Sequence, residues 1–127
     1  MAKVSNKVIR KCNLMVWPQK FAILKCKKPQ KNAFAVIRDH NEVTVIIEER
    51  KAANYLEIEP GWRLITFNAV LGFGLVGFLA KICSKLAAKN ISIFAISAYS
   101  TDHILVKEKD LNHAVLALKS IGFQKAG

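Results

Sequence analysis

Two rhythms of apolar and polar positions run through this chain. The first half holds short apolar segments of strand-like composition, and the second switches between a period of two and a period of 3.6. Residues 13–17, 21–26, 33–39 and 43–49 are rich in β-branched or aromatic side chains. They are separated by Pro18, by the polar stretch 27–32 with its Pro29, and by His40-Asn41. Those interruptions predict four short strands, with Asp39-His40-Asn41-Glu42 as a hairpin turn between the last two. No segment in this half sustains a helical period for three turns, so any helix here is short. Residues 50–61, ending in Pro60-Gly61, are the expected boundary between the halves.

The second half is more regular. Residues 62–68 alternate and read as a strand, and Gly72 and Gly74 then break the pattern. Across 75–88, Leu75, Val76, Leu79, Ile82, Cys83 and Leu86 share one helical face. Lys81, Lys85 and Lys89 form a solvated stripe at i, i+4 and i+8, and Gly77, Ala80, Ser84 and Ala88 make a small-residue flank suited to close packing. Phe78 falls among the lysines, which makes it either a subunit or domain contact or a lone exposed aromatic.

Asn90 ends that helix. Residues 91–99 follow as a strand apolar on both faces, the pattern of an interior strand covered on both sides. Ser100-Thr101-Asp102 makes a turn, and residues 103–108 return. Asp110 is the expected N-cap of a helix over 111–121, with Leu111, Ala114, Val115, Leu118 and Ile121 inward and Gly122 at C′. Strand, helix, strand, strand, helix is the split βαβ order of a ferredoxin-like α+β fold. The last strand is reduced to the stub 123–127, which leaves room for a segment of the first half to supply it.

Composition sets limits on this picture. The 127 residues suffice for one compact domain or two very small ones sharing a core, and the 52% hydrophobic content is too high for disorder. No charged stretch followed by an apolar one opens the chain, so no signal peptide is indicated. The longest apolar run, residues 64–80, is 17 residues long and is interrupted by Asn68, Gly72, Gly74 and Gly77. A spanning helix needs about 20 apolar residues, so a strand, a turn and a helix fit better than a membrane segment. Cys12, Cys26 and Cys83 are odd in number and lack metal or redox spacing, as expected of buried reduced thiols in a cytoplasmic protein.

The net charge of +11 argues for attraction to polyanions. It is spread evenly, however: residues 1–61 hold 12 basic and 6 acidic groups, and residues 62–127 hold 8 and 3. Without an aromatic-interleaved basic motif, nucleic acid is the alternative partner.

No P-loop, dinucleotide fingerprint, zinc spacing or nucleophile elbow is present, so neither a cofactor nor an enzyme is expected. His40, His103 and His113 fall in a turn, at a strand edge and on an exposed helix face, and are expected to be solvated. What remains is the segment Leu71, Gly72, Phe73, Gly74, Leu75, Val76 and Gly77, where a helix begins without a Ser, Thr, Asp or Asn cap. Its free amides would suit a carboxylate or a phosphate; the alternative is that the glycines serve only the turn. In a paired unit, Asp102 could meet an ammonium group, with Ser97, Tyr99, Ser100 and Thr101 as side walls. Otherwise Asp102 bonds its own backbone in the turn.

These residues resemble a family. Trp62-Arg63-Leu64-Ile65, Phe73-x-Leu75-x-Gly77-x-Leu79-Ala80, Ile91-Ser92-Ile93-Phe94-Ala95-Ile96-Ser97 and Ser100-Thr101-Asp102-x-Ile104-Leu105-Val106-Lys107 together resemble ACT domains, notably short tandem-ACT proteins related to CASTOR-type arginine sensors and aspartokinase regulatory domains. The resemblance implies βαββαβ units in tandem, with an antiparallel sheet and helices on one face. Residues 62–127 would be the C-terminal ACT domain, and residues 1–61 a degenerate N-terminal repeat made mostly of strands. It further implies an amino acid bound between paired units, at 71–77 and at Ser97 and residues 99–102, in a homodimeric regulator of a separate partner protein. Gly72 and Gly74 replace larger residues common in the family, and the first repeat is short.

Overall fold

The computed structural model describes residues 12–68 and 77–126. In order these form β1 (Asn13–Cys26), β2 (Ala35–Arg38), β3 (Val43–Glu48), a 3₁₀ turn (Glu49–Lys51), β4 (Glu57–Asn68), α1 (Phe78–Ala87), β5 (Ile93–Ser97), β6 (Asp102–Lys107), a second 3₁₀ turn (Glu108–Asp110), α2 (Leu111–Ser120) and β7 (Gln124–Lys125). The described residues divide into two compact units. One comprises the chain up to Trp17 and from Leu64 onward, and the other is Pro18–Arg63.

The first unit is an α+β sheet-and-helix layer of ferredoxin-like type. Its strands lie in the order β7-β1-β4-β6-β5. β5 and β6 are antiparallel from Ile93↔Val106 to Ser97↔Asp102. β7 is only two residues long and pairs in parallel with the start of β1, Asn13↔Gln124 and Leu14↔Lys125. The place beside β4 that a full last strand would fill is thus taken by β1.

One face of this sheet carries Leu14, Ile65, Phe67, Ile104 and Val106, all fully or nearly fully buried. Both helices cover it. Phe78, Ile82 and Leu86 descend from α1 at i, i+4 and i+8, and Ala114, Ala117 and Leu118 from α2. Each large side chain removed from water here stabilises the unit by about 1.5–3 kcal/mol.

Phe78 is the clearest departure from the expected pattern. It is 4% exposed and closes a three-ring cluster, edge-to-face with Phe67 and with Phe123 at centroid separations of 5.9 Å each. Phe67 and Phe123 themselves lie 5.1 Å apart. The buried stripe runs through Phe78, Ile82 and Leu86 at i, i+4 and i+8, so the inward face leans toward Phe78 and leaves Leu79 and Cys83, at its other margin, only half-buried.

Both helices end with a left-handed residue that returns the chain to the core. Asn90 (φ 59°) donates its N–H to Ala87 O at 2.9 Å, while Ile91 donates to Leu86 O at 3.0 Å. Gly122 (φ 119°) repeats the device, with Phe123 N–H to Leu118 O at 3.2 Å. In each case the residue after the cap is buried in the same core as the helix it closes. Asp110 does not cap α2 as expected, since its side chain makes no cap bond. The preceding 3₁₀ turn meets the need instead, with Leu111 N–H on Glu108 O.

In the second unit β2, β3 and β1 are antiparallel neighbours, and among the described residues no α-helix occurs. β1 is continuous through Pro18, where two strands were expected. Proline's fixed φ suits extended backbone and removes only one donor. Asp39 builds the β2–β3 turn: its Oδ1 accepts the N–H groups of Asn41 and Glu42 at 2.8 and 2.9 Å, which holds its carboxyl below the ordinary range. The core is Ala22, Leu24 and Cys26 against Val43, Val45 and Ile47. Pro60-Gly61 lies inside β4, where Gly61 (φ 80°) turns its N–H onto Glu49 Oε1 at 2.8 Å.

Truncating Phe78 to alanine should cost about 3–5 kcal/mol, the usual range for a buried phenylalanine. Urea unfolding checks this, since an exposed aromatic would change stability by less than about 0.5 kcal/mol.

Candidate functional site

The expected ligand residues fall into two groups. Residues 71–76 lie outside the described residues. Gly77 is the N-cap of α1, left-handed at φ 91°, with no side-chain cap bond, and its carbonyl accepts Lys81 N–H at 3.0 Å. Ser97, Tyr99, Ser100, Thr101 and Asp102 cluster at one end of the β5–β6 hairpin. Ser97 and Asp102 are the last cross-strand pair, and Ala98 N–H bonds Thr101 O at 2.9 Å to close the turn. Tyr99 stands out at 84% exposure. Asp102 opens β6, and no hydrogen bond from its side chain into the turn is present among the described residues.

β5 corrects the expectation of an interior strand. It is the last strand in its sheet order, and its outer backbone row has no partner among the described residues. Phe94 and Ile96 are half-buried and Ala95 exposed. Its apolar character on both faces therefore belongs to an open edge without a charge or a proline, the kind of edge that readily accepts another strand.

Behind the hairpin turn runs a polar chain that sequence reasoning missed. His103 is 7% exposed, not solvated. Its Nδ1 lies 2.8 Å from Thr66 Oγ1 and its Nε2 lies 3.0 Å from Thr101 Oγ1. Trp17 Nε1–H donates to the same Thr66 oxygen at 2.8 Å. Either neutral tautomer satisfies all three contacts: with Nε2 protonated, Thr66 donates its hydroxyl hydrogen to Nδ1 and His103 donates Nε2–H to Thr101, and with Nδ1 protonated both directions reverse. Burial pushes the His103 imidazole below its ordinary pKa, against the opposing pull of the adjacent Asp102 carboxylate, so the neutral ring is favoured. Residues 17, 66, 101 and 103 show no spacing that marks them as partners, because three strands bring them together.

Two depressions lie among the described residues away from the hairpin end. In the first unit a groove of about 490 Å³ lies between α1 and α2, bordered by Lys85, Lys89 and Ile91 from one side and by Asp110, His113 and Leu116 from the other. In the second unit a depression of about 320 Å³ lies beside Lys25, Glu42, Thr44, Glu57 and Glu59. Neither is lined by the expected ligand residues. Among the described residues, no three His, Cys, Asp or Glu side chains are placed to hold a metal ion, and no helix is long and apolar enough to cross a membrane. Cys12 and Cys26 are buried and Cys83 is half-buried, and none of the three is in a disulfide.

A β4–α1–β5–β6–α2 unit with this strand order defines a ferredoxin-like α+β fold. The model of the ACT domain matches residues 57–120, half of the chain, and the chain belongs to that family. Among curated proteins it is similar to the cytosolic arginine sensor for mTORC1 subunit 1 of Homo sapiens, with 36% identity over 59 residues. The Bos taurus protein of the same name matches equally. That stretch is 46% of this chain and only 18% of the relative, so the chain matches less than a fifth of that protein. Among solved structures, a protein from Agrobacterium tumefaciens superposes with a TM-score of 0.80 at 20% identity, covering 91% of this chain and 92% of that one. The ligand-free regulatory subunit of aspartate kinase from Thermus thermophilus superposes at 0.61 and 10% identity, covering 85% and 95%. These likenesses establish the fold.

The His103 chain carries a pH signature. Its folded pKa lies below the unfolded value of about 6.5, so as pH falls through that value the unfolded state takes up the proton first and stability drops. Wild type should therefore lose stability between pH 7.5 and 5.5, and His103→Gln should flatten that part of the curve, as read by urea midpoints across the range. The lowered carboxyls of Asp39 and Glu48 act only at more acidic pH.

Proposed function

We propose that this chain is a non-catalytic, amino-acid-binding regulatory module of the cytoplasm, with its ligand held between paired ACT units. The observation that carries the reading is the open edge of β5 directly beside the Ser97–Asp102 hairpin end. An uncharged apolar edge calls for a second strand, and a second copy of the chain provides one, which makes the working unit a homodimer. Residues 1–61 then act as the shortened N-terminal repeat of a tandem pair with residues 62–127.

The chemistry of the proposed pocket follows from two ends of a zwitterion. Gly77 begins α1 without a side-chain cap, so the amides of that terminus are left to attract a carboxylate, supplemented by the glycine-containing segment 71–76. Asp102, half-buried at the hairpin end, offers the counter-charge for an ammonium group. Thr101 and Ser97 add hydrogen-bonding groups, and Tyr99 adds an exposed aromatic wall. Binding that favours one arrangement of the paired units over another would be read by a separate partner protein.

A melting screen against the twenty amino acids tests this reading. An amino acid at about 100 times its Kd adds about 2.7 kcal/mol, which should raise Tm by roughly 10 °C in a chain of this size. Asp102→Asn should reduce the shift by weakening the ammonium contact. Gly74→Asp should abolish it by placing an anion where the carboxylate belongs. No shift from any amino acid at millimolar concentration would refute the proposal.

A further inference from the structure

The proposed pocket leaves the helix layer of the first unit unused, and that layer has a distinct character. Residues 77–101 contain no Asp or Glu, and their charge is supplied by Lys81, Lys85 and Lys89. Lys85 lies in the last turn of α1 and Lys89 in the turn that follows it, and both border the α1–α2 groove. No ion pair involves either of them among the described residues. Across the groove Leu116 is 63% exposed although α2 has apolar positions to spare for its own core. Ile91 lies between the two helices at the groove's end.

We infer that this groove is a docking face for an acidic amphipathic helix of a partner protein, which lays its apolar stripe against Leu116 and its carboxylates toward Lys85 and Lys89. The inference rests on the proposed function only in taking the module to act on a separate protein. Charge and shape select this occupant. Two lysines lining the groove, neither in an ion pair among the described residues, match carboxylates on one flank of a second helix. The exposed leucine needs an extended apolar surface to cover it, more than a small anion offers. A nucleic-acid backbone would leave Leu116 wet, would find no aromatic ring lining the groove to stack on, and would be repelled by Asp110. For a helical peptide, Asp110 can instead accept a single basic residue at the end of the stripe.

Fluorescence anisotropy provides the test. The probe is a labelled 18-residue helical peptide with leucine at i, i+3, i+4 and i+7 spacing and glutamate on its flanks. Controls are the same peptide with every glutamate replaced by lysine, and a 20-nucleotide oligothymidylate. The glutamate peptide should bind at least tenfold more tightly than the lysine peptide. Lys85→Gln/Lys89→Gln and, separately, Leu116→Ser should each weaken it at least fivefold without lowering Tm, since all three side chains are off the core. Amide chemical-shift changes in the wild-type protein should centre on α1 and α2. Equal binding of the two peptides, no binding at millimolar concentration, no loss in the variants, or displacement by the oligonucleotide would overturn the inference. The amino-acid melting shift is a separate readout: its absence with peptide binding intact would sink the pocket and leave the docking face standing, and the reverse would do the opposite.

Discussion

The first unit depends on one constraint: the apolar face formed by Leu14, Ile65, Phe67, Ile104 and Val106 must be covered, and only α1 and α2 are available to cover it. Everything about the second half of the chain follows from that demand. It fixes the phase of α1 on Phe78, Ile82 and Leu86, because those are the residues that reach the sheet. It also explains why both helices finish on a left-handed residue, since each chain end must turn back at once to bury Ile91 or Phe123. The three-ring cluster joins strand, helix and returning segment, so that Phe67, Phe78 and Phe123 each hold a different element in place.

Coverage on one side makes the opposite face of the same strands a different kind of surface. There Thr66 and His103 alternate with the core residues Ile65, Phe67 and Ile104, and both are buried. A buried polar group is tolerated only when its hydrogen-bonding capacity is met. The chain from Trp17 through Thr66 and His103 to Thr101 meets it link by link. Its last member belongs to the hairpin turn. The same bonds that neutralise the cost of burying an imidazole therefore fix the rotamer of a residue at the proposed pocket.

Much of this was legible in the sequence, for identifiable reasons. The β4–α1–β5–β6–α2 order follows from periodicity and from the breaks at 72, 74, 90 and 122, each with a physical cause. The Asp39 turn was readable because aspartate bonds its own turn amides. The errors share a cause too. The expected α1 face leans toward Leu79 and Cys83, whereas the stripe that reaches the sheet leans toward Phe78, a difference that depends on which side of the helix the neighbouring elements pack. β5 was read as interior because apolar content on both faces looks the same whether a neighbour lies in the same chain or is still to come. His103 was read as solvated because nothing local announces Thr66, 37 positions away. Of the residues proposed for the pocket, Ser97, Tyr99, Ser100, Thr101 and Asp102 lie together at the hairpin end, and residues 71–76 lie outside the described residues.

The distribution of charge and exposure bears on how such a module can act without chemistry of its own. A sheet with one covered face offers two other surfaces, an edge and the outer side of its helices. On the proposed reading these are divided between two tasks. The edge at β5 is uncharged and backbone-rich, suited to self-pairing, where backbone hydrogen bonds set the geometry and a bound zwitterion can stabilise one arrangement. The helix side is basic with one leucine standing clear, suited to recognising something unlike itself. Repulsion between identical basic surfaces disfavours a second copy on that side and attracts an acidic protein to it. Strands alone could not have separated the tasks in this way. α1 makes it possible, because one end of it lies at the Gly77 terminus while Lys85, in its last turn, borders the groove, so that a ligand at the first end and a partner at the second would press on the same ten-residue element.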